Sequence, residues 1–90
     1  MSLYVAAYDI SDDERRANMA HALLRYGDRL QRSVFELWLE PGQVRALCRE
    51  LGPLLSATDS FYLFPIDERG SRATIAWQRP PATFQPVIVD

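Results

Sequence analysis

Ninety residues make one domain, and 48% hydrophobic with 24% charged residues excludes a disordered chain. A domain of this size buries only about 60–65% of its unfolded surface, so its core is thin and a partner subunit would add to it. A net charge of −2 and a pI near 5.3 exclude a bulk electrostatic binder of nucleic acid, although all ten basic residues are arginine, whose planar fork suits phosphate. Arginine in place of lysine is equally what a GC-biased genome produces.

The first predicted element is Leu3-Tyr4-Val5-Ala6-Ala7-Tyr8-Asp9-Ile10, an apolar run rich in valine and tyrosine that reads as a strand buried on both faces. Asp9 is its anomaly, because a carboxylate joins such a strand only with a partner or a task. Strand ends are where scaffolds present reactive groups, and bonding to neighbouring backbone amides is the structural alternative for Asp9. No charged, cleavable leader precedes this strand and no apolar run approaches the ~20 residues of a membrane span, so a cytoplasmic protein is expected.

Ser11 or Asp12 can cap a first helix, with Asp13 and Glu14 at its positive end. The helix is predicted to run to Tyr26, with Gly27 as a left-handed cap and Ala17, Ala20, Leu23 and Leu24 as the inner stripe, which Tyr26 can extend. His21 and Arg25 lie on an outer face. The single histidine has no second ligand-type residue at metal spacing and reads as a solvated surface residue.

Arg29 to Leu39 is predicted as one strand, with Leu30, Arg32, Val34, Glu36 and Trp38 on one face and Gln31, Ser33, Phe35, Leu37 and Leu39 on the other. Both faces carry large apolar groups. One can cover helices, and the other needs a second cover, for which a second subunit is expected.

Pro41-Gly42 is a turn, with Pro41 suited to the first turn of a second helix. Val44, Leu47, Cys48, Leu51 and Leu55 form that helix's core stripe, and Gly52-Pro53 ends it. The lone Cys48 cannot form an internal disulfide and is expected to be a small buried thiol. Asp59 to Ile66 is a third strand, aromatic on both faces, whose Pro65 implies an edge or a bulge. Residues 67–70 read as a loop and Arg72 to Trp77 as a short fourth strand. The tail from Arg79 carries Pro80, Pro81 and Pro86 and then Val87-Ile88-Val89, which is strand-like with no obvious local pairing partner.

If the long second segment supplies the middle pairing, the elements condense to βαββαβ, an α+β ferredoxin-like sandwich with both helices on one face of the sheet. The domain is expected to span residues 1–78, and the extended tail and pairing strand residues 79–90.

Three local patterns then resemble a known family. They are Tyr8-Asp9-Ile10 with Asp12-Asp13-Glu14-Arg15-Arg16, Tyr26-Gly27-Asp28-Arg29-Leu30-Gln31-Arg32-Ser33-Val34-Phe35-Glu36, and Asp59-Ser60-Phe61-Tyr62-Leu63-Phe64-Pro65-Ile66. In that order and spacing they resemble the CRISPR-associated Cas-two family of spacer acquisition, over about residues 3 to 66. The Ser-Val-Phe-Glu run after Tyr-Gly is the most specific part.

The resemblance implies a ferredoxin-like homodimer whose sheets face each other, with the last strand, Val87, Ile88 and Val89, added to the partner's sheet. It also implies a magnesium-dependent endonuclease acting on RNA or DNA in some members. In others it implies a non-catalytic, DNA-binding dimeric scaffold bridging dimers of the Cas-one integrase around double-stranded DNA. By the same resemblance Asp9 matches the metal-binding, catalytic aspartate, Ser33 and Phe35 match the motif of the second strand, and Arg16 matches a basic position of the first helix. The lysines usual in and after that helix are replaced here by arginines and His21.

Read as chemistry, magnesium prefers oxygen ligands and keeps several waters, so one carboxylate per subunit suffices if a dimer brings two together. Arg15, Arg16, Arg29 and Arg32 could form a phosphate-binding rim, with salt bridges to Asp12, Asp13 and Asp28 as the alternative. No general base adjoins Ser33, which argues against a serine nucleophile. Phe35 is expected to pack, in the core or at a subunit contact. A small-ligand regulatory module of the same fold is disfavoured because no glycine-rich ligand loop is present.

Overall fold

Apolar residues at every position from Leu3 to Tyr8 place β1 (Ser2–Asp9) inside a sheet, with Tyr4, Ala6 and Tyr8 facing the helices on one side. The computed structural model describes residues 1–77 and 87–89 of the chain. After β1 come α1 (Asp13–Leu24), β2 (Gly27–Gln31), β3 (Val34–Leu39), α2 (Pro41–Leu51), a 3-10 turn over Gly52–Leu54, β4 (Ser60–Ile66), α3 (Glu68–Ala73), β5 (Ile75–Trp77) and β6 (Val87–Val89). The first four strands form one antiparallel sheet in the order β2-β3-β1-β4. This is the expected ferredoxin-like βαββαβ arrangement, and Pro65 does lie on an edge strand, where its missing N–H costs no ladder bond.

The core lies between the sheet and the two longer helices. Tyr4, Ala6 and Tyr8 of β1 meet Phe35, Leu37 and Leu39 of β3 and Phe61 and Leu63 of β4, under Met19, Ala20 and Leu23 of α1 and Leu47 and Leu51 of α2. The alternation read from Val34 to Leu39 therefore holds. Its other phase, Val34, Glu36 and Trp38, lies on the opposite sheet face with Leu3, Val5, Ala7, Tyr62 and Phe64.

Several local expectations are corrected. Arg29 to Leu39 is two strands, because the chain turns at Arg32-Ser33 and the Arg29 guanidinium donates to the Arg32 carbonyl at 3.0 Å. Ser33 is thus a turn residue. Helix α1 stops at Leu24, and Gly27 opens β2 with no left-handed φ. Glycine is needed there because a Cβ would stand 1.9 Å from the Glu36 carbonyl oxygen, so only a bare Cα lets β2 approach β3. Ala17 and Leu24 are exposed, and the inner stripe is instead Met19, Ala20 and Leu23.

Cys48 is exposed, one position outside the stripe of α2 that buries Leu47 and Leu51. Glu68 to Ala73 is helical, since Asp67 accepts the Gly70 N–H at 2.7 Å as an N-cap and Glu68 pairs with Arg72 one turn on. Only Ile75–Trp77 of the predicted fourth strand is extended, and it gives Val87–Val89 a local parallel partner that the sequence did not suggest. The remainder of the expected tail, residues 79–86 and 90, lies outside the described residues. No helix among the described residues is long and apolar enough to cross a membrane.

Candidate active site

One end of the sheet collects the residues singled out around Asp9. β1 runs into this end with Asp9 as its last residue, β4 starts there with Ser60 opposite Asp9, and the Arg32-Ser33 turn between β2 and β3 closes it. The Ser33 carbonyl accepts the Tyr8 N–H at 3.1 Å, and the Tyr8 hydroxyl donates to the Arg32 carbonyl at 3.3 Å. Tyr8 also stacks on Phe35, with ring centroids 6.2 Å apart. Phe35 is fully buried on the helix side, so of its two expected settings it occupies the core. The turn is therefore tied to the residue before Asp9 by two hydrogen bonds and one ring contact.

Asp9 itself is exposed, and its carboxylate has no hydrogen-bond or ion-pair partner among the described residues. An aspartate spent on backbone bonding, the structural alternative, would show such contacts. The residues after it are held by Arg16, which donates to the Ile10 carbonyl at 2.9 Å and the Ser11 carbonyl at 3.4 Å and pairs with Asp13. Arg16 can reach them because it stands one turn before Met19 and Ala20 on the inward side of α1. Asp12 caps the helix by accepting the Arg15 N–H at 2.9 Å.

Arg15 points the other way, into the loop that precedes β4. Its Nε donates to Asp59 at 3.2 Å, and its Nη2 lies 3.1 Å from the same carboxylate and 3.2 Å from the Ser56 hydroxyl. The Asp59 side chain is only 1% exposed. Its carboxyl is held below the ordinary value of 3.8, first by the Ser56 backbone N–H that it accepts at 2.9 Å and further by Arg15, with burial opposing. Sequence reading missed Asp59 as more than a motif letter. The available signal was Ser56-x-x-Asp59, the spacing at which an aspartate closes a turn on a backbone amide.

The four arginines expected on the rim are thus differently placed. Arg15 and Arg16 are engaged as described, and Arg29 reaches the Arg32 carbonyl with its guanidinium 5.2 Å from the Phe35 ring. Arg32 is exposed at the turn, with its side chain free of partners among the described residues. His21 is exposed, far along α1, in a shallow groove with Asn18, Arg25 and Glu50. A recess of about 360 Å³ lined by Leu3, Trp38, Ile66, Asp67 and Glu68 lies at the sheet end opposite Asp9.

Asp9 offers hard oxygen donors that no described group occupies, which suits a hydrated divalent ion. Among the described residues no group of three histidine, cysteine, aspartate or glutamate side chains gathers as a metal site within one chain.

Residues 1–74 match the model of the family described as CRISPR associated protein Cas2, the Cas-two family whose motifs the sequence carries. The chain belongs to this family. A CRISPR-associated endoribonuclease Cas2 of Synechocystis is 40% identical over 87 residues, covering 96% of this chain and 95% of the relative. A CRISPR-associated endonuclease Cas2 of Thermus thermophilus is 42% identical over 65 residues, covering 71% of this chain and 72% of that protein. Among solved structures, a partial Cas6-RT-Cas1–Cas2 complex contains a chain that is similar with a TM-score of 0.65. It is 26% identical, over 78% of this chain and 83% of that one. For this Cas2 chain the match spans both α1 and the whole four-stranded sheet, so the Asp9 end lies inside the shared fold.

Proposed function

We propose that this Cas2 chain is a magnesium-dependent endonuclease of CRISPR adaptation, hydrolysing phosphodiester bonds of RNA or DNA as a cytoplasmic homodimer that works with the Cas1 integrase. The observation that carries the catalytic part is the free, exposed carboxylate of Asp9 at the end of a buried strand. Support for the class of activity comes from relatives named endoribonuclease and endonuclease, and support for the integrase partner from the complex in which a similar chain sits with Cas1.

Asp9 would hold the ion, one carboxylate from each of two copies. The chemistry supplied there by a divalent cation is polarisation of a phosphoryl oxygen and acidification of water. This chain's own part is to present Asp9 rigidly, on a strand end fixed by the Tyr8 and Arg16 contacts, and to receive the backbone of the substrate. Arg32 leads the phosphate-contacting set because its guanidinium is unclaimed, with Arg16 and Arg29 beside it.

The dimer is supported by the outer sheet face. Tyr62 and Phe64 are 54% and 49% exposed there, next to Trp38, which is more apolar surface than a solitary sheet face of this size usually leaves uncovered. β4 is also an edge strand, where a strand of a second copy could add. The exchange of Val87–Val89 into the partner remains part of this proposal, with β5 as its companion inside one chain.

The second reading is a non-catalytic scaffold that bridges integrase dimers on DNA. It is favoured by one observation, that no group of three histidine, cysteine, aspartate or glutamate side chains gathers among the described residues. The deciding experiment is hydrolysis of RNA and duplex DNA by purified wild type and Asp9→Asn, with and without magnesium. The proposal expects cleavage that needs the ion and falls at least about a hundredfold in Asp9→Asn, while dimerisation and duplex binding persist. Binding without cleavage by the wild type gives the scaffold.

A further inference from the structure

The first turn of α1 presents two adjacent arginines to two different segments, and both segments border Asp9. Arg16 grips the Ile10 and Ser11 carbonyls directly after it. Arg15 grips Asp59, directly before the Ser60 that pairs with Asp9 across the sheet. We infer that the Arg15–Asp59 pair is a positioning device for Asp9, locking the start of β4 to the start of α1, and that Arg15 is not a phosphate contact. This rests on the reading of Asp9 as the catalytic carboxylate.

The geometry separates this pair from an ordinary surface bridge. An exposed pair holds little, because both charges remain hydrated and mobile. The Asp59 side chain is 1% exposed, and it takes two guanidinium donors of Arg15 and the Ser56 backbone N–H, so its place is set by three donors at once. Arg15 in turn is held by Asp12, which caps the helix through the Arg15 N–H and lies 3.9 Å from its guanidinium. Residues 12, 15, 56 and 59 form one connected cluster bridging elements 44 positions apart. The clamp matters for Asp9 because the last rung of the β1–β4 ladder is Asp9 opposite Ser60, and a frayed β4 start would leave Asp9 on an unsupported strand end. Misplacing a reacting group by about 1 Å can cost about a hundredfold in rate.

The test compares wild type, Arg15→Ala, Asp59→Asn, the double variant, Arg15→Lys and Asp9→Asn. The measurements are kcat and KM on single-stranded RNA and duplex DNA oligonucleotides with magnesium, plus the salt slope of duplex affinity. Positioning expects kcat to fall about 10- to 100-fold in both single variants, with KM and salt slope unchanged. The double variant should fall no further than either single, since both remove one clamp. Arg15→Lys, which keeps one charged contact and the fold, should recover part of kcat. A phosphate contact gives the opposite pattern. Arg15→Ala would then lower affinity and reduce the salt slope by about one, while Asp59→Asn left kcat at the wild-type value. That result overturns the inference. Loss of cleavage in Asp9→Asn with none in Asp59→Asn strikes the positioning role alone. Full cleavage by Asp9→Asn, or none by the wild type, removes the catalytic reading and the positioning role with it.

Discussion

The two faces of the same sheet are built from the same kinds of residues and end in different states. On one face Phe35, Leu37 and Leu39 are sealed under α1 and α2. On the other, Trp38, Tyr62 and Phe64 are exposed, with the Tyr62 and Phe64 rings tilted against each other 5.9 Å apart, while Glu36, two residues before Trp38, is fully buried. The difference teaches that this chain completes only half of what its strands encode. The helix face serves the fold of one chain, whereas the outer face leaves Trp38, Tyr62 and Phe64 exposed, the surface that the proposed second copy would cover. Glu36 opposite Val5 on that face is a polar group placed where a purely structural sheet would carry an aliphatic one.

The sharpest way to break the comparison is to cut into both faces equally. Phe35→Ala should cost about 3–5 kcal/mol of stability, because the ring is fully buried and packed under the helices. Phe64→Ser removes a ring of the same size from the outer face and should leave the folded chain nearly as stable, within about 0.5 kcal/mol if it is unpartnered surface. It should instead convert dimers to monomers at micromolar concentration, read by light scattering alongside thermal melts. A wild type that is already monomeric there, with Phe64→Ser behaving identically, would end the view of the outer face as an interface. Equal thermal losses in both variants would make the outer face part of one chain's core.

A second prediction turns on the arginines at the Asp9 end, where engaged and unengaged side chains sit side by side. Arg32→Ala should reduce the salt slope of nucleic-acid affinity by about one and lower affinity similarly for unrelated sequences, since its guanidinium is free to meet phosphate. Its thermal stability should stay at the wild-type level. Arg16→Ala should do the reverse in part, lowering stability through the lost bonds to the Ile10 and Ser11 carbonyls. If the two variants shift salt slope equally with no change in melting, Arg16 is a rim residue first and a loop tie second.

What could be read beforehand follows the same division between local and non-local causes. β1, the Asp12 cap, the Pro41 helix start and the two-faced alternation that separates Phe35, Leu37 and Leu39 from Val34, Glu36 and Trp38 were legible because each depends on neighbours within a few residues, while which of the two phases faces the helices was not. The hairpin at Arg32-Ser33 was hidden, since no glycine, proline or asparagine marks it and apolar alternation runs across it. The turn is held instead by Arg29 and Tyr8, which bond the Arg32 carbonyl. Helix α3 was hidden by the strand-forming Ile75 and Trp77 just beyond it, although Asp67, Glu68 and Arg72 carry its cap and its one-turn ion pair. Asp9 at a strand end was legible from the carboxylate in an apolar run. The engagement of Arg15 by Asp59 was not, because nothing in a sequence brings positions 44 apart into one contact.

The smallest expected effect reads the charge of Asp59 by pH. The folded carboxyl of Asp59 is held below its ordinary value of 3.8, chiefly by the Ser56 N–H and then by the Ser56 hydroxyl and Arg15, with burial opposing. A depressed folded value means the unfolded chain takes up the proton first, so folding gains from the charged form. That gain is fully present above the unfolded value near 3.8 and is lost as pH falls through the lower folded value. Asp59→Asn keeps the shape and an acceptor oxygen but has no charge to lose. Melting temperatures of wild type and Asp59→Asn measured down through the acid range should therefore differ by a constant amount above about pH 5, and converge as pH drops below the ordinary carboxylate value. The remaining carboxylates titrate in both proteins and cancel in the difference. A gap that stays constant to the lowest pH at which the chain is folded would show that Asp59 acts by shape alone and that its charge contributes nothing to the clamp on β4.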